Sequence, residues 1–126
     1  MNDLTSRRIA SVALALTGLI HLILAPEYMS EQAYIGGLFI AGGISTLGLA
    51  AWLWVRNQPV AWLASAVVCA GMATGFILSR TVGLPGFHEE EWELSGVISV
   101  LLEIGVVGLA AAALSAGRSA TTTATT

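Results

Sequence analysis

Four long apolar runs, at residues 9–25, 34–55, 60–79 and 94–116, are separated by short polar stretches. Each has roughly the 17–25 residues that a helix needs to cross a bilayer core about 30 Å thick. Lipid offers the backbone no hydrogen-bond partner, so spans of this kind are helical. The connections at 26–33, 56–59 and 80–93 are short, which makes consecutive spans antiparallel neighbours. The pattern therefore predicts an all-α, integral membrane, up-down four-helix bundle in one domain over 1–118, followed by a disordered Thr/Ala tail at 119–126. Pro26 is expected to stop the first span. Arg7 and Arg8 ahead of an apolar run have the look of a secretory signal, but Pro26 directly follows the best cleavage position, so the run reads as an uncleaved span.

Composition agrees. The 126 residues are 56% hydrophobic and only 10% charged, with a mean hydropathy of +0.80, far from the roughly one quarter charged that soluble domains carry. No stretch is left for a soluble catalytic domain. The chain has five arginines, no lysine and a formal charge of −3, which excludes a basic surface for nucleic acid. The lone Cys69 sits inside an apolar run, as a small buried hydrophobe would.

The few charges are sorted by side. Arg7, Arg8, Arg56 and Arg118 fall at one end of the four-span arrangement, which the positive-inside rule makes cytoplasmic, together with both termini. Glu27, Glu31, Glu89, Glu90, Glu91 and Glu93 fall at the other, with His88 and Arg80. Trp52, Trp54 and Trp62 mark the inner interface, and Tyr28, Tyr34 and Trp92 the outer one. Helix packing is expected at the GxxxG pair Gly71 and Gly75, and at Gly42 with Thr46.

Two ionisable residues lie within spans, where an unpaired charge is costly. Glu103 stands well inside the fourth run, with Gly96 and Ser99 above it at helical spacing. His21 stands near the outer end of the first, one turn from Thr17. Arg80 is expected to answer a carboxylate, either Glu103 or Glu31. Three readings compete for this outer cluster. One is a structural buried polar network of His21, Arg80, Ser99 and Glu103. Another is a divalent metal site drawn from His21, Glu27, Glu31, His88 and Glu89, since imidazoles and carboxylates suit several metals. The third is proton or cation coupling through Glu103. Haem is disfavoured, because bis-histidine ligation needs two deep histidines and His88 lies in a loop.

The segments H-L-I-L-A-P-E at 21–27, then Glu31, S-R-T-V-G-L-P at 79–85 and L-L-E at 101–103 together resemble small four-span membrane proteins of actinobacteria. That group has no assigned activity. The resemblance covers most of the chain and implies the four-span fold in a bacterial plasma membrane. The family's Gly/Pro-rich stretch after G-L-P is replaced here by Phe87, His88 and Glu89 to Glu91. No nucleophile–base pair, phosphate loop or cofactor fingerprint occurs. The expectation is a non-enzymatic accessory or self-associating subunit, embedded in lipid and joined to a larger membrane complex or to copies of itself. Its rival is a proton- or cation-coupled small transporter or a metal-binding membrane protein.

Overall fold

The computed structural model describes the backbone of residues 2–125 and the side chains of 2–117. Four helices follow one another: α1 (Asp3–Glu31), α2 (Ala33–Val55), α3 (Pro59–Arg80) and α4 (Leu94–Thr125). All four are long and apolar enough to cross a membrane, α4 over Leu94–Gly117. The protein is thus a multi-pass integral membrane four-helix bundle. The tail at 119–126 falls where side chains lie outside the described residues.

Local chemistry sets the ends. The Asn2 side chain caps α1 by accepting from the Thr5 N–H at 2.8 Å, and Pro59 occupies the first turn of α3, where its missing N–H removes no helix bond. The arginine-bearing end is tied by indoles. Arg7 donates to the Trp54 carbonyl at 3.2 Å, and Arg8 lies 5.2 Å over the Trp54 ring. Trp52 and Trp62 donate to Gln58 and Asn57.

Pro26 does not stop α1, which continues to Glu31. Proline removes a single N–H, and the turn beyond it has other anchors: Ser30 donates to the Glu27 carbonyl, and the buried Tyr28 ring packs against Phe39. Gln32 alone separates α1 from α2, in extended conformation, so the expected outer loop is a one-residue corner.

The outward surface is apolar: Ile23, Leu38, Ile44, Val67 and Leu101 are exposed, the arrangement expected where lipid is the solvent. The inward surface is small or polar. Toward the arginine-bearing end, Ala10, Leu14, Leu49, Leu53, Trp62, Val106 and Ala110 form a closed core. Toward the acidic end the packing opens.

α1 and α2 approach closely twice: at Gly36 beside the corner, where an added Cβ would lie 2.5 Å from Met29 Cα, and at Gly18 and Gly43 in mid-span. A Cβ on Gly18 would lie 2.6 Å from Thr46 Oγ1, and one on Gly43 would lie 2.9 Å from the Gly18 carbonyl oxygen. The expected packing pair Gly71 and Gly75 is not at a helix contact; an added Cβ would meet nothing within 4 Å at either. Gly42 faces only the flexible Met72 side chain, at 3.5 Å. A GxxxG spacing makes a smooth strip on a helix, but a partner helix must lie over it, and α2 and α3 diverge here.

Candidate functional site

Where α2 and α3 separate, a cavity of about 340 Å³ remains, lined by all four helices. This is within the range of small-ligand sites, roughly 300–1,000 Å³. Its walls are mostly apolar, with Leu24, Phe39, Met72 and Phe76 among them. Leu38, Ala41 and Ser45 of α2 and Val67 and Gly71 of α3 line it and are also exposed, so it opens sideways between these helices toward lipid. Gly75 and Gly71 contribute open wall instead of helix contact.

On the opposite wall sits Glu103, only 1% exposed. Thr17 and Ser99 both donate to its Oε2, each at 2.7 Å, and their own oxygens lie 2.5 Å apart. His21 Nε2 is 3.9 Å from the same oxygen. No donor among the described residues reaches Glu103 Oε1. The other ring nitrogen, Nδ1, is 2.8 Å from the Thr17 carbonyl. A carbonyl only accepts, so Nδ1 carries the proton and Nε2 is the nitrogen that changes state. At 3.9 Å, Nε2 and Oε2 are too far apart for a direct hydrogen bond. The α3 thiol Cys69 is fully buried and within electrostatic reach of Glu103.

Arg80 is not a partner of Glu103 or of Glu31. Its guanidinium is buried at the cavity rim toward the acidic end, where Nη2 donates to Tyr28 Oη at 2.7 Å and lies 3.5 Å from Glu93 Oε1. Nη1 donates to Ser79 Oγ at 2.8 Å, Nε donates to the Glu91 carbonyl at 3.2 Å, and the whole group stacks 4.1 Å over Phe76. Tyr28 in turn donates to Glu93. The expected four-residue network is therefore two clusters. Glu93 directly precedes α4 and Glu103 lies ten residues further on, about 14 Å along the helix from Leu94 at a rise of ~1.5 Å per residue.

The 81–93 connection folds over the rim. Gly83 and Gly86 take positive φ, 89° and 65°, which glycine adopts without steric cost. Leu84 and Phe87 pair through both backbone groups. Gln32 Nε2 donates to the Gly86 carbonyl at 3.1 Å, and Tyr34 donates to the Pro85 carbonyl. Phe87 edges against Tyr28.

The residues considered for a metal are dispersed. His88 is exposed, with Nε2 3.0 Å from the Thr81 carbonyl, while His21 is deep beside Glu103. At the acidic end, Glu27, Glu89 and Glu93 lie close enough to Glu31 for their charges to act on it. Among the described residues, no three of His, Cys, Asp and Glu gather as a metal-holding group. Bringing His88 to His21 would require the loop to enter the membrane half of the bundle. Sequence reasoning placed Thr17 only as a neighbour of His21; its reach to Ser99 and Glu103 depends on how α1 meets α4.

Fold and site together define a class: a small polytopic membrane bundle with one buried acid and one imidazole on the wall of a lipid-facing cavity. Compared with known proteins, the chain matches no family model, no curated protein and no solved structure. The functional reading consequently rests on geometry.

Proposed function

We propose that this protein is a small proton-coupled carrier whose exchangeable proton is held between Glu103 and His21. The observation that carries this reading is a carboxyl buried within the bundle on a cavity wall, with one oxygen held by Thr17 and Ser99 and the other without a donor among the described residues. A cluster serving only to fix helix register would gain nothing from an adjoining cavity. The pair needs one proton to be neutral, either as carboxylic acid beside neutral imidazole or as carboxylate beside imidazolium. An incoming cation can replace that proton at the same charge balance. The groups facing Glu103 are His21 on α1 and Cys69 on α3; α2 carries no ionisable residue at this depth, and Arg80 is matched by Glu93 at the rim.

The same proposal sets the arginine-bearing end and both termini in the cytoplasm of a bacterium, on the positive-inside rule. The acidic rim and the 81–93 connection then face outward.

Infrared difference spectroscopy between acidic and alkaline pH tests the proton site. The wild type is expected to show a protonated-carboxyl stretch that Glu103→Gln lacks, with His21→Ala displacing the pH at which it appears. A wild-type spectrum identical to that of Glu103→Gln across the range would overturn the reading.

A further inference from the structure

We infer that the cavity takes an amphiphilic cation bearing N–H donors, such as a primary alkylammonium, whose head sits between Glu103 and His21 and whose apolar body lies in the slot between α2 and α3. This rests on the proton-exchange reading and specifies its substrate.

Three observations lead to it. First, two acceptors face each other across a gap. Nε2 of neutral His21 and Oε2 of Glu103 are 3.9 Å apart, and a nitrogen about 2.9 Å from each closes a hydrogen-bonding triangle once one of the Thr17 and Ser99 hydroxyls donates to the other, 2.5 Å away, and frees a lone pair on Oε2. Glu103, which lines the cavity, carries a third acceptor in Oε1, to which no described residue donates. An ammonium has three N–H donors and no acceptor, which matches a site of three acceptors. A quaternary ammonium has the charge but nothing to donate.

Second, away from Glu103 and His21 the wall is mostly apolar, its polar groups being Ser45 and the rim residues Tyr28, Ser79 and Arg80, and it offers no ligand set for an inorganic cation. Leu24, Leu38, Phe39, Val68, Met72 and Phe76 line it, and no metal-holding group is found among the described residues. An organic body is required to fill such walls. Third, the opening lies between exposed apolar residues of α2 and α3, so entry is from the bilayer, where an amphiphilic cation concentrates.

The exchange balances. The ammonium enters as RNH3+ beside Glu103 in its acid form; the carboxyl releases one proton, which leaves through the cavity, and the ammonium N–H bonds replace it. No bond to carbon forms or breaks. Arg80 does not oppose this, because its charge is paired with Glu93, ten residues before Glu103 in the chain.

The test is calorimetric titration of the full chain in lipid nanodiscs with hexylammonium and with hexyltrimethylammonium, beside empty nanodiscs, in buffers of different ionisation enthalpy to count protons. The expected result is saturable binding of hexylammonium with release of one proton, and binding of the trimethyl compound weaker by about tenfold or more, the effect of hydrogen bonds to a charged group. Glu103→Gln should weaken hexylammonium by on the order of a hundredfold, as when one member of a buried charge pair is truncated. Gly75→Leu, which fills open wall without touching Glu103, should abolish binding while leaving the carboxyl infrared band in place. Equal binding of the two compounds would overturn the N–H assignment. Binding without proton release would overturn the exchange. Absence of binding in a protein that still shows the Glu103 band would overturn the ligand class and leave the proton site standing.

Discussion

Gly43→Leu is expected to disrupt the α1–α2 pair and to lower stability by about 3 kcal/mol or more, toward the severe end for overpacking. The reason is that its first added atom would lie 2.9 Å from a backbone oxygen, that of Gly18, and 2.6 Å from Leu22 Cγ. A side chain can turn aside, but the Gly18 carbonyl moves only if α1 moves. Gly71→Leu, by contrast, meets open space, and its effect should stay within about 0.5 kcal/mol. Unfolding in mixed micelles with rising dodecyl sulfate, followed by circular dichroism, separates the two. Equal losses for both variants would contradict the packing described for α1 and α2.

The second large effect belongs to Arg80. Its guanidinium joins α3 to α1 through Tyr28 and to the start of α4 through Glu93 and the Glu91 carbonyl. Arg80→Ala should cost about 3 kcal/mol, the low end of the range for removing one partner of a buried pair, because Arg80 is buried while Glu93 is part-exposed. Arg80→Lys should recover only a minor part, because a point ammonium cannot reproduce donors aimed at four acceptors while lying flat over Phe76. The same unfolding measurement applies, and proteolysis within 81–93 should rise in both variants. A lysine variant as stable as the wild type would contradict the forked geometry.

How legible this was in the sequence differed by scale. The four spans followed from apolar run length, since lipid imposes one solution on backbone polar groups. Glu103 and His21 stood out because ionisable residues are costly within spans. What escaped was anything set by how helices face one another. Gly71 and Gly75 have the spacing of a contact, yet α1 and α2 meet at Gly18 and Gly43, where Thr46 of the expected Gly42–Thr46 strip takes part and Gly42 does not. Arg80 was correctly read as answering a carboxylate, but helix depth decided which one: Glu93 is level with it and Glu103 is not. Pro26 carries a strong local stop signal, overridden by Tyr28 packing beyond it. The cavity itself left no trace in composition, because its wall residues are the same leucines, valines and glycines that face lipid elsewhere.

The central claim is that Glu103 is a protonatable carboxyl reachable from the bilayer. Labelling in liposomes with dicyclohexylcarbodiimide, a hydrophobic reagent that adds to protonated carboxyls, tests it most directly when adducts are located by mass spectrometry. The expected result is an adduct at Glu103 that fades as pH rises, is absent from Glu103→Gln and is suppressed by hexylammonium. Modification confined to Glu27, Glu31 and the 89–93 carboxyls, with Glu103 untouched at every pH, would contradict the account.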